Sequence, residues 1–208
     1  MVKFIRKKLF DDNIGVRIVT LVCIFCFLFL GVTIISYYLL PEGFLRNKNS
    51  TTDFETSKNI FVGAMQIFLY NSISVFAIIF GSLFAKKKDG VYVSYGYSCF
   101  VVGIVLAAIT LGTGSFTDAT VNVPLLERLV SLFYVTKYAG LVEMMGQVLI
   151  TCSLAGKALV MTEGKVTTTR KVKDLRCKKI EVAVFACGLL LMFLGAVIES
   201  NTIVNMGV

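Results

Sequence analysis

Hydrophobic positions along the chain gather into five long blocks divided by polar segments. Crossing a hydrocarbon core takes roughly 20 residues at about 1.5 Å rise each, and every block is near that length or above it. They cover residues 18–40, 60–85, 91–111, 139–160 and 180–198. The second is over-long, which predicts a tilted helix or one that starts as an interfacial turn. The fifth is the shortest, bracketed by Glu181 and Glu199. The first follows basic residues but is too long for a signal-peptide core and lacks a small-x-small cleavage site, so a retained span is expected. A sixth element has a different pattern. Pro124 is suited to a first helical position, and Leu125, Leu126, Leu129, Leu132 and Phe133 then recur at helical spacing, with Glu127, Arg128 and Ser131 on other faces. The pattern as a whole predicts an all-α polytopic transmembrane bundle of about five spans. An amphipathic interfacial or re-entrant helix near 124–137 is added to it. A basic segment 1–17 precedes a single transmembrane domain 18–198, and 199–208 forms a short tail.

Composition agrees with the pattern. Hydrophobic residues are 56% of the chain and charged residues 16%, against about 45–50% and about 25% in soluble domains. There is too little charge to coat a water-facing surface. The net charge of +8 could signal nucleic acid, but in a membrane protein it first reports sidedness. With five spans, the N-terminal segment, the 86–90 turn and the 161–179 loop share one side, and Lys157 at the end of the fourth block counts with them. That side holds 16 of the 21 Lys and Arg residues, leaving Arg46, Lys48, Lys58, Arg128 and Lys137 for the other. The expected orientation is N-terminus in the cytoplasm and C-terminus outside, with no nucleic-acid partner. Residues 161–179 carry seven basic and two acidic residues. Arg170, Lys171, Lys173, Arg176, Lys178 and Lys179 form a candidate lipid-facing cluster, although a topology signal already accounts for them. Asn49-Ser50-Thr51 is a sequon in a loop expected outside.

Ionisable and amide groups inside apolar blocks are costly, so they are the candidate site. Glu143 lies about one turn into the fourth block. Gln147, four residues on, shares its helix face, and Gly140 and Gly146 flank the pair with small side chains. Asn71 sits near the middle of the second block with Gln66, Ser72 and Ser74 nearby. These predict an intramembrane polar contact involving Asn71, Glu143, Gln147 and Gln66; the alternative for Glu143 is a carboxylate reaching headgroups. Glu181 and Glu199 mark the ends of the fifth block, and Glu181 is expected to be solvated or paired with Lys178 or Lys179.

No catalytic constellation is visible, and no metal site or cofactor is expected. The chain has no His, which removes imidazole bases and His-metal ligation. Cys23 and Cys26 form a C-x-x-C, but mid-helix and without a second pair, so small hydrophobes are expected.

Three stretches together resemble the stage II sporulation protein M family of integral membrane proteins. They are Ile67-Phe68-Leu69-Tyr70-Asn71 followed by Phe80-Gly81, then Gly140-Leu141-Val142-Glu143 with Ala155-Gly156, and last Ala196-Val197-Ile198-Glu199. Many members carry His directly before the second motif's Gly, where this chain has Ala139, so a protonation role at that position does not carry over. The resemblance implies a non-enzymatic membrane protein; in spore formers its namesake works with peptidoglycan-degrading partners. The expected function is a scaffold or assembly component, with membrane lipids, other membrane proteins or a second copy as partners. The alternative is a small transporter or permease subunit with Glu143 and Gln147 lining a polar cavity.

Overall fold

A computed structural model describes residues 2–45, 57–88, 90–115, 123–134 and 139–206, with the side chains of 131–134 outside the description. The sequon lies outside it. The fold is mostly helical. A short basic helix α1 (Val2–Leu9) precedes α2 (Ile14–Leu39), α3 (Ile60–Ser82), α4 (Tyr95–Gly112), α5 (Leu125–Tyr134), α6 (Ala139–Leu154) and α7 (Lys179–Met206). Four of these, α2, α3, α4 and α7, are long and apolar enough to cross a membrane. Their outward faces carry large apolar side chains such as Phe27, Leu69, Phe76 and Leu190, with Phe27 80% exposed. Contiguous surface of that kind marks contact with lipid or protein.

The expected boundaries shift for local reasons. Asn13, Asn59 and Ser94 cap the starts of α2, α3 and α4 with side-chain oxygens that accept backbone N–H groups, which is what Asn and Ser do at helix starts. The helix α2 therefore begins inside the segment expected to precede the domain. The helix α7 runs past Glu199 to Met206, so the expected short tail is mostly helical. The over-long second block and the fourth block both lose their ends to strands.

Those strands correct the all-α expectation. The strands β1 (Phe84–Lys88), β2 (Val91–Ser94), β3 (Val160–Glu163) and β4 (Val166–Thr169) form one sheet in the order β2-β1-β3-β4. Two antiparallel hairpins, each closed by a two-residue loop, join through the parallel pair β1–β3, in register Ala85 with Met161. Gly90 and Gly164 take positive φ in the two turns, as tight hairpin loops require. Ala85, Ala158 and Met161 form a small second core under the sheet. At its surface Lys87 donates to Glu163 Oε1 at 2.6 Å. That hydrogen bond and the ammonium charge hold the Glu163 carboxyl below its ordinary range.

Contacts at the helix ends define the up-and-down order. The sheet gathers the ends of α3 and α6 and the starts of α4 and α7. Arg17 at the start of α2 joins them through Glu181 at the start of α7. At the opposite end the Gly43 N–H donates to the Thr113 carbonyl at 2.7 Å, and Ser200 donates to the Ile60 carbonyl at 2.8 Å. The main core runs from Leu21, Phe25 and Phe29 through Ile78, Phe100 and Ile104 to Val148, Ile150 and Met192.

The helix α6 is the shortest of the five apolar helices, 16 residues or about 24 Å. It touches α2, α3, α4 and α7, and none of its residues is exposed. An enclosed helix need not match the bilayer with its own apolar length. Its tightest partner is α7. A Cβ on Gly146 would stand 2.6 Å from the Gly188 carbonyl oxygen, and one on Gly188 would stand 2.7 Å from that of Gly146. Small residues allow this approach, and in lipid such packing replaces the hydrophobic drive between helices. Gly146→Ala and Gly188→Ala are each expected to cost about 1–3 kcal/mol, since neither carbonyl can yield without moving a helix. Gly103, with nothing within 4 Å of its added Cβ, should accept Ala without loss. Thermal melts of the three variants in mild detergent check the contrast.

Candidate functional site

The enclosed helix carries the candidate site. The helices α3 and α6 run in the same direction, so one turn along one matches one turn along the other. Asn71 of α3 faces the Glu143 carboxyl on α6, near enough for the two side chains to interact. One turn further, Gln147 donates from Nε2 to Ser74 Oγ at 3.0 Å, and the Ser74 hydroxyl donates to the Asn71 carbonyl at 2.6 Å. The Ser74 hydroxyl thus donates within α3 while its oxygen accepts across from α6. The third helix, α7, runs antiparallel and meets Glu143 at Gly195. A Cβ there would stand 2.4 Å from Glu143 Cγ and 3.0 Å from the Ala139 carbonyl oxygen. Glu199 follows Gly195 by four residues, one turn along the same face, close enough for its charge to interact with that of Glu143.

Glu143 is 9% exposed, and its Oε1 has no completed hydrogen bond among the described residues. A carboxyl in this position is the most expensive side chain of the bundle interior to leave bare. The cluster offers two carboxyls, two amides and a hydroxyl, which suits hydrogen bonding between helices or the holding of a proton. Gln66, expected to join them, instead accepts the Ser57 N–H at 3.0 Å through its side-chain oxygen and secures the entry to α3.

Glu181 corrects the expectation of a solvated surface group. Its side chain is 6% exposed. Oε2 accepts Lys157 Nζ at 2.6 Å and the Lys178 N–H at 2.9 Å, while Oε1 stands 3.4 Å from Arg17 Nη1. Lys157 also donates to the Arg176 carbonyl at 2.7 Å, and Arg17 donates to the carbonyls of Asp11 and Cys152. One carboxylate therefore holds the start of α2, the end of α6 and the start of α7. The Lys178 side chain turns elsewhere, 3.6 Å from Asp12. Arg170, Lys171, Lys173, Arg176, Lys178 and Lys179 are all exposed, a charged strip leading from the sheet to α7.

The far end has its own tie, absent from the sequence expectation. Arg128, placed there on the polar face of α5, is 4% exposed. It makes a two-oxygen contact with Glu42 at 2.7 and 2.8 Å and donates to the Gly112 carbonyl at 2.6 Å and the Val123 carbonyl at 2.8 Å. Its guanidinium lies 4.9 Å from the Tyr37 ring centroid. Leu126 on the same helix is 73% exposed, so α5 turns an apolar residue outward and its arginine inward. A lone Arg beside an apolar helix, and an Arg in the first turn of a span, were the signals for both ties.

Removing the Glu181 carboxylate leaves Arg17 and Lys157 without their shared anion. Glu181→Ala is expected to cost about 3 kcal/mol, the low end for a buried pair because it lies at the bundle's end. Glu163→Ala, which opens an exposed pair, should leave the melting temperature within error. Differential scanning fluorimetry in detergent separates them. The site stands on this geometry alone, for no protein-family model, no curated protein and no solved structure matches the chain.

Proposed function

We propose that the chain is a multi-pass integral membrane protein that acts as a non-catalytic scaffold or assembly component, similar to the stage II sporulation protein M family. In this reading α2, α3, α4, α6 and α7 are five spans, with the N-terminus cytoplasmic and the C-terminus external, and α5 lies in the outer interface or re-enters it. The sheet and the strip from Arg170 to Lys179 then face the cytoplasm, where a Lys and Arg excess is favoured. The partners are lipids of the bilayer and other membrane proteins or a second copy, which the large apolar faces of α2 and α3 suit.

The observation that carries the reading is the closed packing at Glu143. The space in front of Gly195 is filled by the glutamate's own side chain, and Gln147 is already bonded across to Ser74. Such an arrangement fixes helices against each other. A second reading, a small transporter or permease subunit, draws on the unpartnered Glu143 Oε1 and on Glu199 one turn away.

Glu143→Gln separates the two. An amide still hydrogen-bonds, so the scaffold reading expects folding and melting temperature to stay within about 1 kcal/mol of wild type, with no pH-dependent flux in proteoliposomes of either protein. A flux present in wild type and lost in the variant would establish transport instead. Orientation is checked by labelling Asn49→Cys in a cysteine-free background with an impermeant reagent. Reaction from the external side only is expected; reaction from the cytoplasmic side only would overturn the topology.

A further inference from the structure

Where α1 meets α2 the chain forms a groove of about 520 Å³. Phe4, Ile5 and Lys8 line it from α1, and Val16, Val19 and Thr20 line it from the first turns of α2. Its two walls are held at a fixed angle. Tyr97 at the start of α4 donates to the Leu9 carbonyl at 2.7 Å, and its ring meets that of Phe10 edge-on at 5.3 Å. Arg17 Nε donates to the Asp11 carbonyl, and the Asn13 side chain caps α2. Contacts within the chain therefore set the shape of the groove.

Its chemistry is divided. Apolar side chains from both helices form the walls, while Lys8, Asn13 and the first turn of α2 form the polar part. The helix α1 contains four cations, Lys3, Arg6, Lys7 and Lys8, and no acid. Of the two carboxylates between α1 and α2, Asp11 accepts the Asn13 N–H at 3.0 Å, and Asp12 stands 3.6 Å from Lys178. Lys8 Nζ sits 5.7 Å from the Phe4 ring centroid, and no carboxylate pairs with it among the described residues. A cation above an apolar trough, at the entry of a membrane span, is complementary to a molecule with one anionic group and a hydrocarbon tail.

We infer that this groove seats one anionic phospholipid of the surrounding bilayer, its phosphodiester at Lys8 and an acyl chain along Phe4, Ile5, Val16 and Val19. The inference rests on the membrane reading of the chain. Cationic side chains near a membrane surface each contribute about 1 kcal/mol toward anionic lipid, while the walls select for a tail and not for a free anion. The bound lipid would pack against the same turn that presents Arg17 to Glu181.

The test is native mass spectrometry of the full chain in mild detergent with equal amounts of phosphatidylglycerol and phosphatidylcholine. Wild type is expected to retain phosphatidylglycerol preferentially. Lys8→Gln should reduce that preference about fivefold and Lys8→Glu about 30-fold. Lys165→Glu, in the β3–β4 turn at the sheet edge opposite the strand that α1 touches, should leave it unchanged. Val19→Trp, which fills the groove, should lower retention of both lipids, and inorganic phosphate should displace neither. The inference is overturned if Lys8→Glu keeps the wild-type preference, if Lys165→Glu loses as much, or if phosphate competes. Conversion of a dimer to a monomer by Val19→Trp would also overturn it, by assigning the groove to a second copy. An alkaline carbonate wash keeps the two ideas apart. Release of the chain from membranes would defeat the membrane reading itself, whereas a retained chain without lipid preference defeats only the groove.

Discussion

The reciprocal close approach of backbone to backbone at Gly146 and Gly188 is the constraint on which the rest of the bundle depends. Helices surrounded by hydrocarbon gain little from burying apolar side chains against each other, because lipid is as apolar as leucine. Their association depends on packing and on polar contacts, and both improve when two axes come close. Gly195, seven residues beyond Gly188 on the same stripe of α7, extends the close contact to Glu143. The glutamate is enclosed because the glycine opposite leaves its side chain the only group to fill the space. Replacing any of these small residues would separate α6 from α7 and loosen the Asn71 and Gln147 contacts, which reach α6 from its other side.

The two ends of the bundle are tied differently, and the difference follows from the chain path. At the sheet end several chain segments converge, and Glu181 gathers three of them around one carboxylate. At the far end Arg128 has the same role with opposite charge, collecting Glu42 and two carbonyls. Neither tie is a large net source of stability, since desolvation cancels much of the attraction in a buried ion pair. What each does is penalise alternatives. A register shift of α2 by one turn would carry Arg17 away from both Glu181 and the Cys152 carbonyl, leaving charge enclosed without a partner. Ionic hubs at the ends and glycine contact in the middle therefore fix register by separate means.

Much of this was legible in the sequence. Hydropathy located the apolar helices because a span must be apolar over its whole length, a property that needs no tertiary information. Asn71, Glu143 and Gln147 stood out as polar residues inside apolar blocks, and the structure brings them together while moving Gln66 to a loop contact. The sheet was hidden by its own residues. Lys86, Lys87 and Lys88 present as a charged turn and Thr167, Thr168 and Thr169 as polar linker; each set pairs in a local hairpin, and the two hairpins join into one sheet only through β1 and β3, more than seventy residues apart. Val166-Thr-Thr-Thr after a Gly-Lys turn was the available β signal. Arg17, Arg128 and Glu181 escaped because a charge at a helix end is equally at home in water; which side it faces is decided by neighbours distant in the sequence.

The position of α6 has a consequence for how the cluster acts. A carboxyl on a lipid-facing helix can escape its cost by rotation or by reaching the headgroups. Glu143 is on the buried side of α6, and Gly195 closes the direction it faces. Any change in what Glu143 binds, whether a proton or a neighbouring amide, must be accommodated by shifting α3 or α7 against α6. Those two helices carry large outward apolar faces at Phe76 and Leu190. A polar event at the centre is thereby coupled mechanically to those outward faces.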